Sequence, residues 1–285
     1  MSEIFDDRLC QLGEGPLWHP ERAQFFWFDI EGKRLLTRTD DGPAEWSFPG
    51  NVSAAGWVDR DTLLVASETG LHRFDIATGK SEDIAPLEAD DPRTRSNDGR
   101  ADPYGGFWIG TMGKTSEPGL GSIYRYYRGE VRKLYPDITV SNAICFSTDG
   151  GHACFSDTHT KQVMRVALDA EGWPTGEPEV YLDLRAEGLN PDGAVIDASG
   201  DLWLAEWGAY RISHYDKAGK RVESFSFPAA HTSCPAFGGQ GLSTLFCTTA
   251  IAGTTEENRA EFPKTGMTFC VETNATGQAE HRVIL

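Results

Sequence analysis

Short apolar runs separated by turn residues recur along the whole chain. The clearest instance is residues 190–207, NPDGAVIDASGDLWLAEW. Residues 194–196 read as a short apolar strand. Residues 197–201 read as a turn, with Gly200 free to take a positive φ. Residues 202–205 form the return strand. Asp192 stands behind a Pro and ahead of a Gly, so it is expected in the connection leading into the strand. The same phrase opens at residues 13, 54, 97, 141 and 232. The unit starts lie roughly 40–50 residues apart, the period of propeller blades, and each unit holds about four strand-like runs. The pattern predicts an all-β, six-bladed β-propeller, with residues 1–285 as a single domain. A two-sheet architecture would account for the strands but not for the period. Residues 9–10 and 282–285 are strand-like and are expected to sit together and close the ring, because an open blade leaves an unpaired edge.

Composition narrows the partners. The formal net charge is −17, with 39% hydrophobic and 24% charged residues. Nucleic acid and anionic membrane surfaces would repel such a chain. Residues 1–7 carry neither a basic nor an apolar leader segment, so a cytoplasmic location is expected. The six cysteines show no CxxC spacing and are expected to be reduced, with Cys145 and Cys154 facing each other across a hairpin. The expected assembly is a monomer or a weak homodimer.

In a propeller the innermost strand of each blade lines a central channel. Residues at the start of that strand therefore converge on one mouth. At this phase the units carry Glu14, Asn97, Asn142 and Asp192. Their ligand atoms are hard oxygens, which suit Ca²⁺, Mg²⁺ or Mn²⁺ and also admit Zn²⁺ or Fe²⁺. Asp59, Asp102, Asp149 and Asp197 instead sit in hairpin turns, where a turn-forming role suffices. HExxH and GxSxG motifs are absent. The tryptophans, Trp207 included, are read as inter-blade packing; His231, just ahead of the sixth unit, could reach the channel mouth, with a surface role the expected one.

Six motifs in order, LGEGPLW at 12–18, RSNDGR at 95–100, GTM at 110–112, SN at 141–142, PDG at 191–193 and CPAFGG at 234–239, resemble the SMP-30/gluconolactonase/regucalcin family. Within it the chain is most similar to bacterial sugar lactonases. The resemblance implies one divalent cation in the channel held by Glu14, Asn142 and Asp192, with Asp192 also catalytic. It places substrate contacts at Arg95, Asn97 and Glu117. It implies hydrolysis of an aldonolactone such as glucono-, xylono- or arabinolactone. Two alternatives stand beside it: a non-catalytic calcium-binding propeller, and a metal-dependent esterase or phosphotriesterase. The family has Gly after the metal-binding Asn, whereas this chain has Ala143, which would be strained at a positive φ.

Overall fold

The structure, a computed structural model, describes residues 2–285. It contains six antiparallel four-stranded sheets, arranged as the blades of a β-propeller. Blade 1 consists of Gly13–His19, Gln24–Asp29, Arg34–Thr39 and Gly42–Ser47. The inner strands of blades 2 to 6 are Val52–Asp59, Thr94–Ala101, Ser141–Phe146, Asn190–Ile196 and Thr232–Gly238. The first two strands of each blade are apolar and buried, and the outer strand alternates, as Gly42–Ser47 shows.

Six apolar clusters hold the ring. Each joins neighbouring blades: Phe26 and Leu35 meet Leu63 and Phe74 between blades 1 and 2, and Val195 and Trp203 meet Phe237 and Phe269 between blades 5 and 6. Among the described residues one α-helix occurs, α1 (Glu256–Glu261), capped by a reciprocal Thr255–Asn258 box. No helix among them is long and apolar enough to cross a membrane. All six cysteines are free; Cys145 and Cys154 are register partners, as expected.

Ring closure differs from the expectation. Residues 282–285 do not pair with residues 9–10. The outermost strand of blade 6 is Glu3–Asp6, which pairs with Thr268–Glu272. Phe5 secures it through edge contacts with Phe25, Trp27 and Phe246. The chain's other end crosses the base of the channel. Gln278 Nε2 donates to the carbonyls of Phe146 and Ile196, and Trp57 Nε1 donates to the carbonyl of Glu280. Val283 is fully buried and its N–H donates to Trp57 O. The base therefore takes the tail because it offers open carbonyls and an apolar niche, while the blade edge goes to a strand bearing Phe5.

Candidate functional site

Every inner strand breaks register near its start. The breaks fall between Glu14 and Leu17, Val52 and Ala54, Ser96 and Gly99, Asn142 and Cys145, Pro191 and Ala194, and Thr232 and Cys234. Such a bulge adds an unpaired residue and re-aims side chains. Asp192 thus lies within its strand, at the bulge, and not in the preceding connection as expected. The same device acts on Glu14, Asn97 and Asn142. Gly15, next to Glu14, has φ +53°, and Ala143, next to Asn142, has φ +56°. The two blades need the same left-handed residue, and blade 4 supplies it without glycine. A side chain there costs roughly 1–2 kcal/mol.

These bulges surround a cavity of about 290 Å³ at the channel mouth. Glu14, Arg95, Asn97, Asn142 and Asp192 all line it. A hydrogen-bonded arc runs across blades 3, 4 and 5. Arg95 Nη1 donates to Asn97 Oδ1 at 2.7 Å, and Asn97 Nδ2 donates to Asn142 Oδ1 at 3.1 Å. Asn142 Nδ2 donates to Thr158 Oγ1 at 2.8 Å, and that hydroxyl donates to Pro191 O at 2.7 Å. The arc fixes which end of the Asn142 amide faces the cavity. It also occupies both ends of the Asn97 amide, whose Nδ2 further donates to Ser141 O. Arg95 uses Nη1 for its bonds to Ser96 O and Asn97.

The carboxylates are crowded. Burial and then Asp98 push Glu14 up from 4.5 to about 8. Burial, Glu14 and Asp98 raise Asp192 well above the usual carboxylate range. Burial raises Asp98 to about 6 despite the Ile144 N–H it accepts at 2.7 Å. Burial also lowers Arg95 to about 10, which leaves it charged at neutral pH. Asp192 Oδ2 is buried without a hydrogen-bond partner. An orphaned carboxylate oxygen on a residue that lines one cavity with Glu14 and Asn142 suits an all-oxygen cation site, because buried charge demands compensation. Glu14, Asn142 and Asp192 could hold a divalent ion.

Glu117 stands apart from the other predicted contacts. Its carboxylate accepts from Thr115 N at 3.1 Å and closes its own loop, and Ser116 and Lys114 line the cavity from that segment instead. Sequence reasoning overlooked Asp98, and it overlooked Glu31 and Trp207 as cavity residues. Asp98 follows Asn97 at the bulge, a phase that could have flagged it. Trp207 packs against an apolar cluster, as expected, but also lines the cavity and stacks on His231, which is buried and not at the surface.

Two other constellations are accounted for by turns. Asp197, Asp201 and His214 bring ligand atoms within 4.8 Å of one another. However, Asp197 already accepts from Ser199 N, Asp201 N and Trp203 Nε1. Ser67 Oγ lies 2.7 Å from His72 Nε2, whose Nδ1 is 2.8 Å from Asp83 Oδ1. That order mimics a nucleophile–base relay, but Ser67 Oγ accepts from Thr69 N and Gly70 N, and the Asp83 side chain is 94% exposed. It closes a hairpin.

The fold and the mouth together define a class: a six-bladed propeller with oxygen-bearing side chains lining the mouth of its channel. Residues 12–251 match the SMP-30/Gluconolactonase/LRE-like region, and the chain belongs to that family. It is 32% identical to the L-arabinolactonase of Azospirillum brasilense over 99% of this chain and 95% of that one. It is 30% identical to the 6-deoxy-6-sulfogluconolactonase of Pseudomonas putida over 94% of each. A crystal structure of a calcium-binding protein, regucalcin, from Agrobacterium tumefaciens superposes with a TM-score of 0.97 at 38% identity, over 100% of this chain and 98% of that one.

Proposed function

We propose that the protein hydrolyses a sugar lactone to the aldonic acid at the channel mouth, with a divalent cation held by Glu14, Asn142 and Asp192. The observation that carries this reading is the unpartnered, buried Asp192 Oδ2 in a cavity also lined by Glu14 and Asn142. The lactonase relatives support the substrate class. When bound, the cation would act as a Lewis acid toward the lactone carbonyl and lower the pKa of an attacking water. Asp192 accepts the proton of that water as it attacks the carbonyl carbon. The tetrahedral centre then collapses, the ring C–O bond breaks, and the ring oxygen takes up a proton to become a hydroxyl. Arg95 supplies its remaining N–H groups to the substrate's oxygens, and the Asn97–Asn142–Thr158 arc keeps the amide oxygen in place. Charge stabilisation by fixed groups of this kind is a major catalytic term.

The test is acid release from a panel of aldonolactones by metal-stripped protein, with each cation added back. Asp192→Ala is expected to lose at least about 10³-fold in kcat with the fold retained by circular dichroism. Wild-type turnover in that variant would overturn the assignment. The calcium-binding description of the regucalcin structure favours a second reading, a cation binder without catalysis. Tight Ca²⁺ binding with no acid released from any lactone would select it.

A further inference from the structure

The cavity wall is chemically mixed. It carries Glu14, Arg95, Asn142 and Asp192 together with Leu12, Met112, Val140 and Trp207, the single aromatic residue among those lining it. Trp207 ends the second strand of blade 5, Leu202–Trp207. Its ring is backed by His231, with centroids 4.2 Å apart and planes 28° from parallel. His231 is itself fixed. Its Nδ1 lies 2.8 Å from the carbonyl oxygen of Ala252, which can only accept, so Nδ1 carries the proton. Burial lowers the His231 pKa and keeps the ring neutral at physiological pH. Gly253, at φ +73°, closes against both rings: a Cβ there would lie 3.6 Å from Trp207 Cζ2 and 3.3 Å from His231 Cε1. The segment carrying α1 is tied down nearby by Phe262, which stacks on Tyr210 at 4.7 Å.

A fixed indole that shares a cavity with charged and amide groups suits a ligand bearing both hydroxyls and C–H bonds. Aromatic faces carry partial negative charge and favour polarised C–H groups, and a fixed ring loses little entropy on binding. Building on the lactone reading, we propose that Trp207 is the platform on which the closed sugar ring rests, with His231 its positioning residue. The site therefore recognises the cyclic form. Ring opening removes the flat C–H face, so the linear product loses this contact and leaves.

The experiment compares Trp207→Leu, which keeps apolar bulk without a π face, Trp207→Phe, His231→Ala and His231→Phe. Each is assayed on glucono-1,5-lactone and titrated calorimetrically with 1,5-anhydroglucitol, a closed ring that cannot be hydrolysed. The expected result for Trp207→Leu is a KM raised about tenfold or more, with kcat within about threefold of wild type, the mark of lost uniform binding. Trp207→Phe should recover most of that loss. His231→Ala should raise KM by about threefold, and His231→Phe, which can still stack, should restore it. Ca²⁺ affinity should be unchanged throughout. A KM for Trp207→Leu within about twofold of wild type overturns the platform. If the wild-type protein opens no lactone, the lactone reading falls and the anhydroglucitol titration decides. Tenfold weaker binding in Trp207→Leu then sustains the platform, and equal binding, or none in the wild type, overturns it.

Discussion

The two mouths of the channel use the same side chains to opposite ends. At the base, Asp197 Oδ1 accepts from Ser199 N and Asp201 N, and Asp102 Oδ1 accepts from Tyr104 N and Gly106 N. Their second oxygens take Trp203 Nε1 and Arg125 Nε. At the other mouth Asp192 Oδ2 has no partner, and Glu14 accepts one bond, from Gly15 N. Residues 277–284 also seal the base, whereas a cavity opens at the top. The contrast separates carboxylates that finish a turn from carboxylates left free for a ligand. Partnering, and not residue type, makes the distinction.

Removing residues 277–285 should have the largest effect on that contrast. It exposes the niche of Val283 and leaves Trp57 Nε1 and the half-buried Arg100, which pairs with Glu280, without partners. Losing the Val283 burial and one partner of a half-buried ion pair should cost about 2–3 kcal/mol, read from urea melts. An unchanged midpoint would show the base to be indifferent to its seal.

The pH dependence sharpens the comparison next. The folded-state pKa of Glu14 is raised, so its contribution to stability is complete below about 4.5 and is lost as pH rises through about 8. Cation-free protein should therefore lose stability across that window. A bound cation needs the deprotonated carboxylate, so the Tm gained from saturating Ca²⁺ should grow from pH 5 to 8. Differential scanning calorimetry with chelator or Ca²⁺ measures this, and a gain that stays flat with pH would contradict it.

At the base, Asp197→Ala strands the N–H groups of Ser199 and Asp201 and the Trp203 indole. About 2–3 kcal/mol should be lost in chemical denaturation, with cation affinity unaltered. Comparable loss from Asp192→Ala would erase the difference between the mouths, since that side chain is expected to burden the cation-free fold. The smallest effect belongs to Ala143→Gly. Relief of the left-handed strain should add about 0.5–1 kcal/mol, partly offset by a freer unfolded chain.

Much of this was legible in the chain itself. The recurring strand–turn–strand phrase carries the blade period, and Glu14, Asn142 and Asp192 share one phase within it. The bulges were not, because an inserted residue leaves no mark on alternation when the strand is buried on both faces. Asp98 looked like half of an Asn-Asp-Gly turn. The tail was misread because it has no periodic partner: Glu280 meets Trp57 across 223 residues of sequence. Trp207 carries the same apolar signature as the packing tryptophan Trp203, and only the cavity distinguishes them.

The Glu3–Asp6 strand has a consequence for the chain's birth. Its partner, Thr268–Glu272, leaves the ribosome only after the five intervening blades. At about 5–20 residues per second the first strand waits for tens of seconds, with Phe5 able to reach Phe25 and Trp27 but not yet Phe246. Five blades can assemble in that interval, yet the circle closes only once Thr268–Glu272 has emerged.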